Sequence, residues 1–171
     1  MYATERLDVR GVEEADIDGL LAVYLSNPQV TAVTEGSAGE PGHYDRGMLE
    51  RDLWMSELDE ARHTAGLFLR DGGTCVGVID WLDRNPEDGS PWIGLVMVHC
   101  DHQRRGYGRE AVLGLLDLGR TQGWTRVRAA AIADDAATRG LYEAVGMRQI
   151  DRRSHAFAAG ERSVAVLELE L

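Results

Sequence analysis

Gln103-Arg104-Arg105-Gly106-Tyr107-Gly108 is the stretch of this chain whose residue types and spacing point to chemistry. An apolar run from Trp92 to Val98 leads into it, and an amphipathic pattern from Ala111 to Gly119 follows. A strand, a glycine loop and a helix start, in that order, make a cradle for an anion. Glycines let the backbone come close to a ligand, and a helix N-terminus offers unpaired N–H groups at the positive end of its dipole. Arg104, Arg105 and Arg109 add guanidinium groups of the kind that bind phosphates or carboxylates.

The rest of the chain must position that loop. Leu7 and Val9 alternate in a strand over 6–11, and Ile17, Leu20, Leu21 and Tyr24 form the stripe of an amphipathic helix that Asn27-Pro28 ends. The polar, glycine-rich 29–42 stretch reads as a loop, and 43–60 as a helix with Met48, Leu49, Met55 and Leu58 turned inward. Strands over 64–70 and 74–82 flank the turn Asp71-Gly72-Gly73. After the turn 85–89, Trp92 to His99 reads as a central strand. The helix beyond the glycine loop buries Val112, Leu115, Leu116 and Gly119, and 126–132 is a further strand. Asp134-Asp135 caps a helix with an inward stripe of Ala137, Gly140, Leu141, Ala144 and Val145, closed by Gly146. Strands over 149–157 and 163–169 form a closing hairpin through Ala159-Gly160. The predicted order is βααβββαβαββ, a single α/β domain over 1–171 with a mixed sheet.

Composition narrows the partners. The chain has 44% hydrophobic and 27% charged residues, as an ordinary globular domain has. No apolar stretch approaches the roughly 20 residues a membrane span needs, and the start of the chain lacks the pattern of a secretory signal. Two cysteines, Cys75 and Cys100, do not make a disulfide framework. Both lie in apolar segments, Cys100 reads as a small buried residue, and without a disulfide framework a cytoplasmic location is expected. The net charge is −11, and arginine supplies every Lys-or-Arg position. That charge disfavours nucleic acid as a partner and favours a cationic one.

Three readings of the loop stand on residue chemistry alone. Gly106-x-Gly108-x-x-Ala111 matches a dinucleotide fingerprint in form, but the preceding hairpins imply an antiparallel sheet that a dinucleotide fold does not use. The pyrophosphate of coenzyme A is the second ligand. The third reading is a glycine turn that only reverses the chain. A Walker loop is excluded, since no Gly-Lys-Ser/Thr is present.

The chain resembles the GNAT superfamily of N-acetyltransferases. The resemblance rests on Gln103-Arg104-Arg105-Gly106-Tyr107-Gly108, on the preceding strand end Val96-Met97-Val98-His99, and on the late segment from Asp135 through Ala136-Ala137-Thr138-Arg139-Gly140-Leu141-Tyr142 to Gly146-Met147. It covers essentially the whole chain. Asp135 stands where the family usually has asparagine, Met147 where it has phenylalanine, and Cys100 where proline is common.

The resemblance implies a fold and a set of site residues. The fold is a mostly antiparallel sheet, splayed between the strands before and after the glycine-loop helix and flanked by helices. By the same resemblance acetyl-CoA is the cosubstrate, with its pantetheine arm along Val96, Met97 and Val98. Its pyrophosphate lies on the N–H groups from Arg104 to Arg109, including Gly106, Tyr107 and Gly108. Asp135 stands at the family's asparagine contact. Tyr142 resembles the family's acid for the leaving thiolate. Its reference pKa of roughly 10 keeps it protonated at neutral pH. No metal is expected. The general base is left open among Asp80, Asp83, His99, Glu35 and water, because the family's strand glutamate falls at Trp92, which does not titrate. The acceptor is an amine, expected to be a small molecule, bounded by the 29–42 loop and the 85–89 turn. Homodimerisation is left open. The rival reading is an acyl-CoA-binding sensor without catalysis.

Overall fold

The computed structural model describes residues 1–36 and 43–171. Eight strands form one sheet: β1 (Tyr2–Ala3), β2 (Leu7–Arg10), β3 (Arg62–Leu69), β4 (Cys75–Leu82), β5 (Trp92–Val98), β6 (Arg126–Ile132), β7 (Arg148–Phe157) and β8 (Gly160–Glu170). Their spatial order is β1-β2-β3-β4-β5-β6-β8-β7. Every neighbouring pair is antiparallel except β5 and β6. This is the mixed, mostly antiparallel α/β architecture expected from the sequence, and it is not a doubly wound parallel sheet. Among the described residues no helix is long and apolar enough to cross a membrane.

Five helices cover the two faces. Helices α1 (Ile17–Leu25), α2 (Pro28–Thr34) and α3 (Arg46–Glu57) belong to one side. There Leu20 and Val23 of α1, Leu49 of α3 and Tyr44 bury against Val78 and Met97. Helices α4 (Tyr107–Thr121) and α5 (Ala136–Ala144) cover the other. Val112, Leu115 and Leu116 of α4 and Tyr142 of α5 pack there on Ile79, Ile93, Val127 and Ala129. The alternation of strand side chains makes this division possible, since β4 sends Val78 to one core and Ile79 to the other.

Three expectations are corrected. Residues Pro28–Thr34 form a helix and not part of a loop, because Pro28 sits at its first turn, where its fixed φ and missing N–H do no harm. Residues 37–42 of that expected loop lie outside the described residues. Met55 and Leu58 were expected to face inward but are 53% and 61% exposed, since α3 meets the sheet through Leu49 and Ser56. On α5, Ala137, Gly140 and Ala144 are exposed, and the buried line runs through Tyr142 to Val145 and Met147. Small apolar residues at helical spacing did not mark the core because Tyr142 is large enough to decide which side of α5 is buried.

Candidate functional site

The loop is built to keep its end open. Gln103 Nε2 donates to the Val98 carbonyl over 3.0 Å and to Asn27 Oδ1 over 2.9 Å, and Asn27 Nδ2 donates to the same carbonyl over 3.1 Å. Ser26 Oγ accepts from the Cys100 N–H at 3.1 Å. The end of α1 therefore grips the start of the loop. Arg104 has φ +61°, and Gly106, the residue before α4, has φ +86°. Left-handed positions between ordinary ones turn successive N–H groups inward and form an anion nest. The first helical bond runs from Glu110 N to the Gly106 carbonyl at 2.9 Å, so the N–H groups of Tyr107, Gly108 and Arg109 have no partner within the helix.

The loop's charge matches that geometry. Among the described residues, the guanidinium groups of exposed Arg104 and Arg105 meet no carboxylate. Arg109 reaches only the Ala144 carbonyl, at 3.4 Å. Arg6, by contrast, is held by Glu110, with Nε 2.6 Å from Oε2, and supports the loop through the Arg105 carbonyl at 3.0 Å. Gly106 and Gly108 differ in role. Gly106 is needed for its backbone angle. A side-chain carbon on Gly108 would touch Val96, Val98 and Leu141 at 3.6–3.7 Å, so Gly108 marks where α4 crosses β5 and nears α5.

From this cradle the sheet opens. β5 and β6 pair only at Trp92 with Arg128 and Ile93 with Ala129. Beyond that, β5 continues along β4 to Val98 and β6 along β8 to Ile132, so the two strands diverge. The closed end is pinned by Arg128, whose Nη1 lies 2.7 Å from Asp88 Oδ2 and whose Nε lies 2.8 Å from Glu168 Oε2. Trp92 joins the same knot through Nε1 and Asp88 Oδ2 at 2.9 Å. His99 N bonds the Val76 carbonyl, so by strand alternation Met97 turns its amide and carbonyl to β4, while Val96 and Val98 turn theirs into the opening. The Val98 carbonyl is taken by Asn27 and Gln103. The groups of Val96 have no strand opposite them.

Tyr142 is 1% exposed and is part of the core that α4 and α5 cover. Its hydroxyl makes no hydrogen bond among the described residues. Burial, and then the charge of Asp135, push its pKa well above the usual tyrosine value, so it carries its proton at any physiological pH. Asp135 caps α5: Oδ1 accepts from the N–H groups of Ala137 and Thr138 at 3.0 Å each, and Oδ2 accepts from Thr138 Oγ1 at 2.6 Å. Its carboxylate is occupied by the helix.

The four base candidates separate. Asp83 uses both oxygens, on His63 at 2.7 Å and on Trp81 at 3.2 Å. His99 lies past the end of β5, and its Nδ1 accepts the Asp101 N–H at 3.2 Å. Glu35 sits at the end of α2. Asp80, on β4 opposite Leu95, is 7% exposed, and its Oδ1 lies over Gly94 of β5. Cys100 was expected to be buried but is exposed, because the chain turns outward after Val98 into a short 3-10 turn over 100–102. Asn27 and Arg62 were missed from sequence. Asn27 beside Pro28 read only as a helix stop, and an arginine at a strand start carries no pattern of its own.

Residues 6–148 match the family described as the acetyltransferase (GNAT) domain. The chain belongs to the GNAT acetyltransferase family. No curated protein matches it in sequence. Solved structures share its fold at low identity. An acetyltransferase of the GNAT family from Bacillus anthracis superposes with a TM-score of 0.81 at 16% identity, over 99% of this chain and 97% of that one. An acetyltransferase from Thermus thermophilus gives 0.74 at 24% identity, over 100% of both chains. The spermidine N-acetyltransferase of Vibrio cholerae, solved with CoA and spermine, gives 0.74 at 16% identity, over 96% and 95%. For this GNAT acetyltransferase, the mostly antiparallel sheet sets aside the dinucleotide reading of the glycine loop.

Proposed function

We propose that this acetyltransferase moves the acetyl group of acetyl-CoA directly to a primary amine of a small molecule, with both substrates bound at once. The observation that carries this reading is the run of helix-free N–H groups at the start of α4 next to the unpaired backbone of Val96, where β5 leaves β6. The N–H groups of Tyr107, Gly108 and Arg109, with Arg104 and Arg105 beside them, take the pyrophosphate. The amide and carbonyl of Val96 hold the pantetheine arm. Donors facing a carbonyl that gathers negative charge lower the barrier to attack. Tyr142, kept protonated by its burial, supplies the proton to the departing sulfur. Asp135 acts here as the cap that holds α5 and Tyr142 in place. The spermidine acetyltransferase, which has the same fold, acts on an amine of the class proposed.

Calorimetry with acetyl-CoA, CoA and NAD tests the ligand. Acetyl-CoA and CoA bind and NAD does not; tight binding of NAD overturns the reading. Thiol release across a broad amine panel tests the reaction. Binding of acetyl-CoA with no turnover on any amine identifies the chain as an acyl-CoA sensor instead.

A further inference from the structure

Asp80 is a buried carboxylate that uses only half of its bonding capacity. Oδ2 accepts from Arg62 Nε at 2.8 Å and from Thr64 Oγ1 at 2.8 Å. Thr64 is fixed in turn by Ser56, whose Oγ lies 2.8 Å from Thr64 Oγ1. Oδ1 has no partner among the described residues. That oxygen is not sealed from solvent and is free to meet a ligand, so its neighbourhood matters.

That neighbourhood is the mouth of the opening. A side-chain carbon on Gly94 would lie 2.6 Å from Asp80 Oδ1. Gly94 is the extra residue of a bulge, where pairing steps from Asp80 with Leu95 to Trp81 with Ile93. It is also the first residue of β5 beyond the last pair with β6, Ile93 with Ala129. Gly94 is exposed and its φ is not left-handed, so the backbone there does not require glycine. What the missing side chain leaves is room for Oδ1 itself, which lies against the β5 backbone where the sheet divides.

The surroundings favour a cation. Tyr24 of α1 stacks on Tyr44 at 5.2 Å with the rings 5° apart, and Tyr44 Oη donates to Asp52 Oδ2 at 3.1 Å. Burial first, and then the charges of Asp80, Asp52 and Glu35, hold the proton on Tyr24, with the Arg62 charge opposing. Three carboxylates and two aromatic rings against two guanidiniums, Arg62 on Asp80 and Arg51 on Asp52, still suit an ammonium group.

We infer that Asp80 Oδ1 is the proton acceptor of the reaction and that the acceptor substrate is a small alkylamine, drawn in as its ammonium form. This rests on the acetyl-transfer reading above. The amine nitrogen forms a bond to the thioester carbonyl carbon and the carbon–sulfur bond breaks. The ammonium loses one proton to Asp80 Oδ1 before attack and the nitrogen loses a second after it, both passing through the carboxylate to water, and the thiolate takes a proton from Tyr142, which water restores. Arg62 and Thr64 are positioning residues that hold the carboxylate by its other oxygen.

The test uses the whole chain, with butylamine, 1,3-diaminopropane and 1,4-diaminobutane as probes and thiol release as the readout. Asp80→Asn is isosteric, and Gly94→Ala keeps the carboxylate but sets a methyl group against Oδ1. Both are expected to lower turnover with the best probe, roughly 100-fold for Asp80→Asn and mostly in kcat, while acetyl-CoA affinity stays within about twofold. If Asp80→Asn loses its circular-dichroism signature, Gly94→Ala alone decides. Near-normal kcat in either folded variant overturns the assignment of Asp80. Wild type that binds acetyl-CoA but acetylates none of the three probes overturns the substrate class. Wild type that fails to bind acetyl-CoA at all overturns the acetyl-transfer reading itself, and the inference with it.

Discussion

Gln103 Nε2 bonds the carbonyl of Val98 over 3.0 Å and so ties the glycine loop to the last residue of β5. The same amide bonds Asn27 Oδ1, so one side chain fastens strand, loop and α1 together. Gln103→Leu removes two donors and leaves Asn27 Oδ1 unpaired. We expect a loss of about 1 kcal/mol in urea unfolding, the usual net worth of such bonds, together with weaker acetyl-CoA binding. Unchanged affinity in this variant means that the cradle keeps its shape without the tie.

Arg104 separates charge from shape. It meets no carboxylate among the described residues, so Arg104→Ala should leave unfolding stability unchanged. Acetyl-CoA binding should weaken, and its decline with rising salt should flatten, because exposed ion pairs are screened. Affinity of the wild type that does not vary with salt indicates that backbone N–H groups alone hold the phosphates.

Gly106 and Gly108 should respond differently to alanine. Gly106 has φ +86°, where a side chain costs about 1–2 kcal/mol, and its distortion should lower acetyl-CoA affinity tenfold or more, about 1.4 kcal/mol. Gly108 has ordinary backbone angles and ordinary contact distances, so Gly108→Ala should fold with little loss. Calorimetry and thermal melts on the pair check this; equal effects refute the division of roles.

Tyr142→Phe removes a hydroxyl that has no protein partner among the described residues and keeps the buried ring. Stability and acetyl-CoA affinity should change little, while kcat drops roughly 100-fold, since the thiolate forms only in the transition state. A variant with normal kcat shows that water protonates the thiolate.

Asp135 should be more important to folding than to ligand binding. Asp135→Ala strips α5 of its cap and is expected to cost about 1 kcal/mol. Asp135→Asn keeps the accepting oxygen and adds an N–H donor, so it should fold as the wild type does and bind acetyl-CoA at least as tightly. Weaker binding by the asparagine variant assigns the carboxylate a direct part in the site.

The glycine loop was legible in the sequence because its demands are local. The order of strand, glycine loop and helix start follows from a few neighbouring residues, as do the hairpin turns and the strand over 126–132, while the left-handed angle of Gly106 and the helix start at Tyr107 came from the structure. The cap at Asp135 was legible for the same reason. The divergence of β5 from β6 is different: strand pairing joins residues far apart in the chain, such as Trp92 and Arg128, and only the family resemblance announced the splay. The inward side of α5 was misread because periodicity shows that a helix has a face, while Tyr142, by its bulk, decides which face is buried. Asp80 carried no signal that set it apart from nearby Asp83. Tertiary structure distinguished them, by pairing both oxygens of Asp83 and by bringing Arg62 and Thr64 to one oxygen of Asp80 while leaving the other beside Gly94.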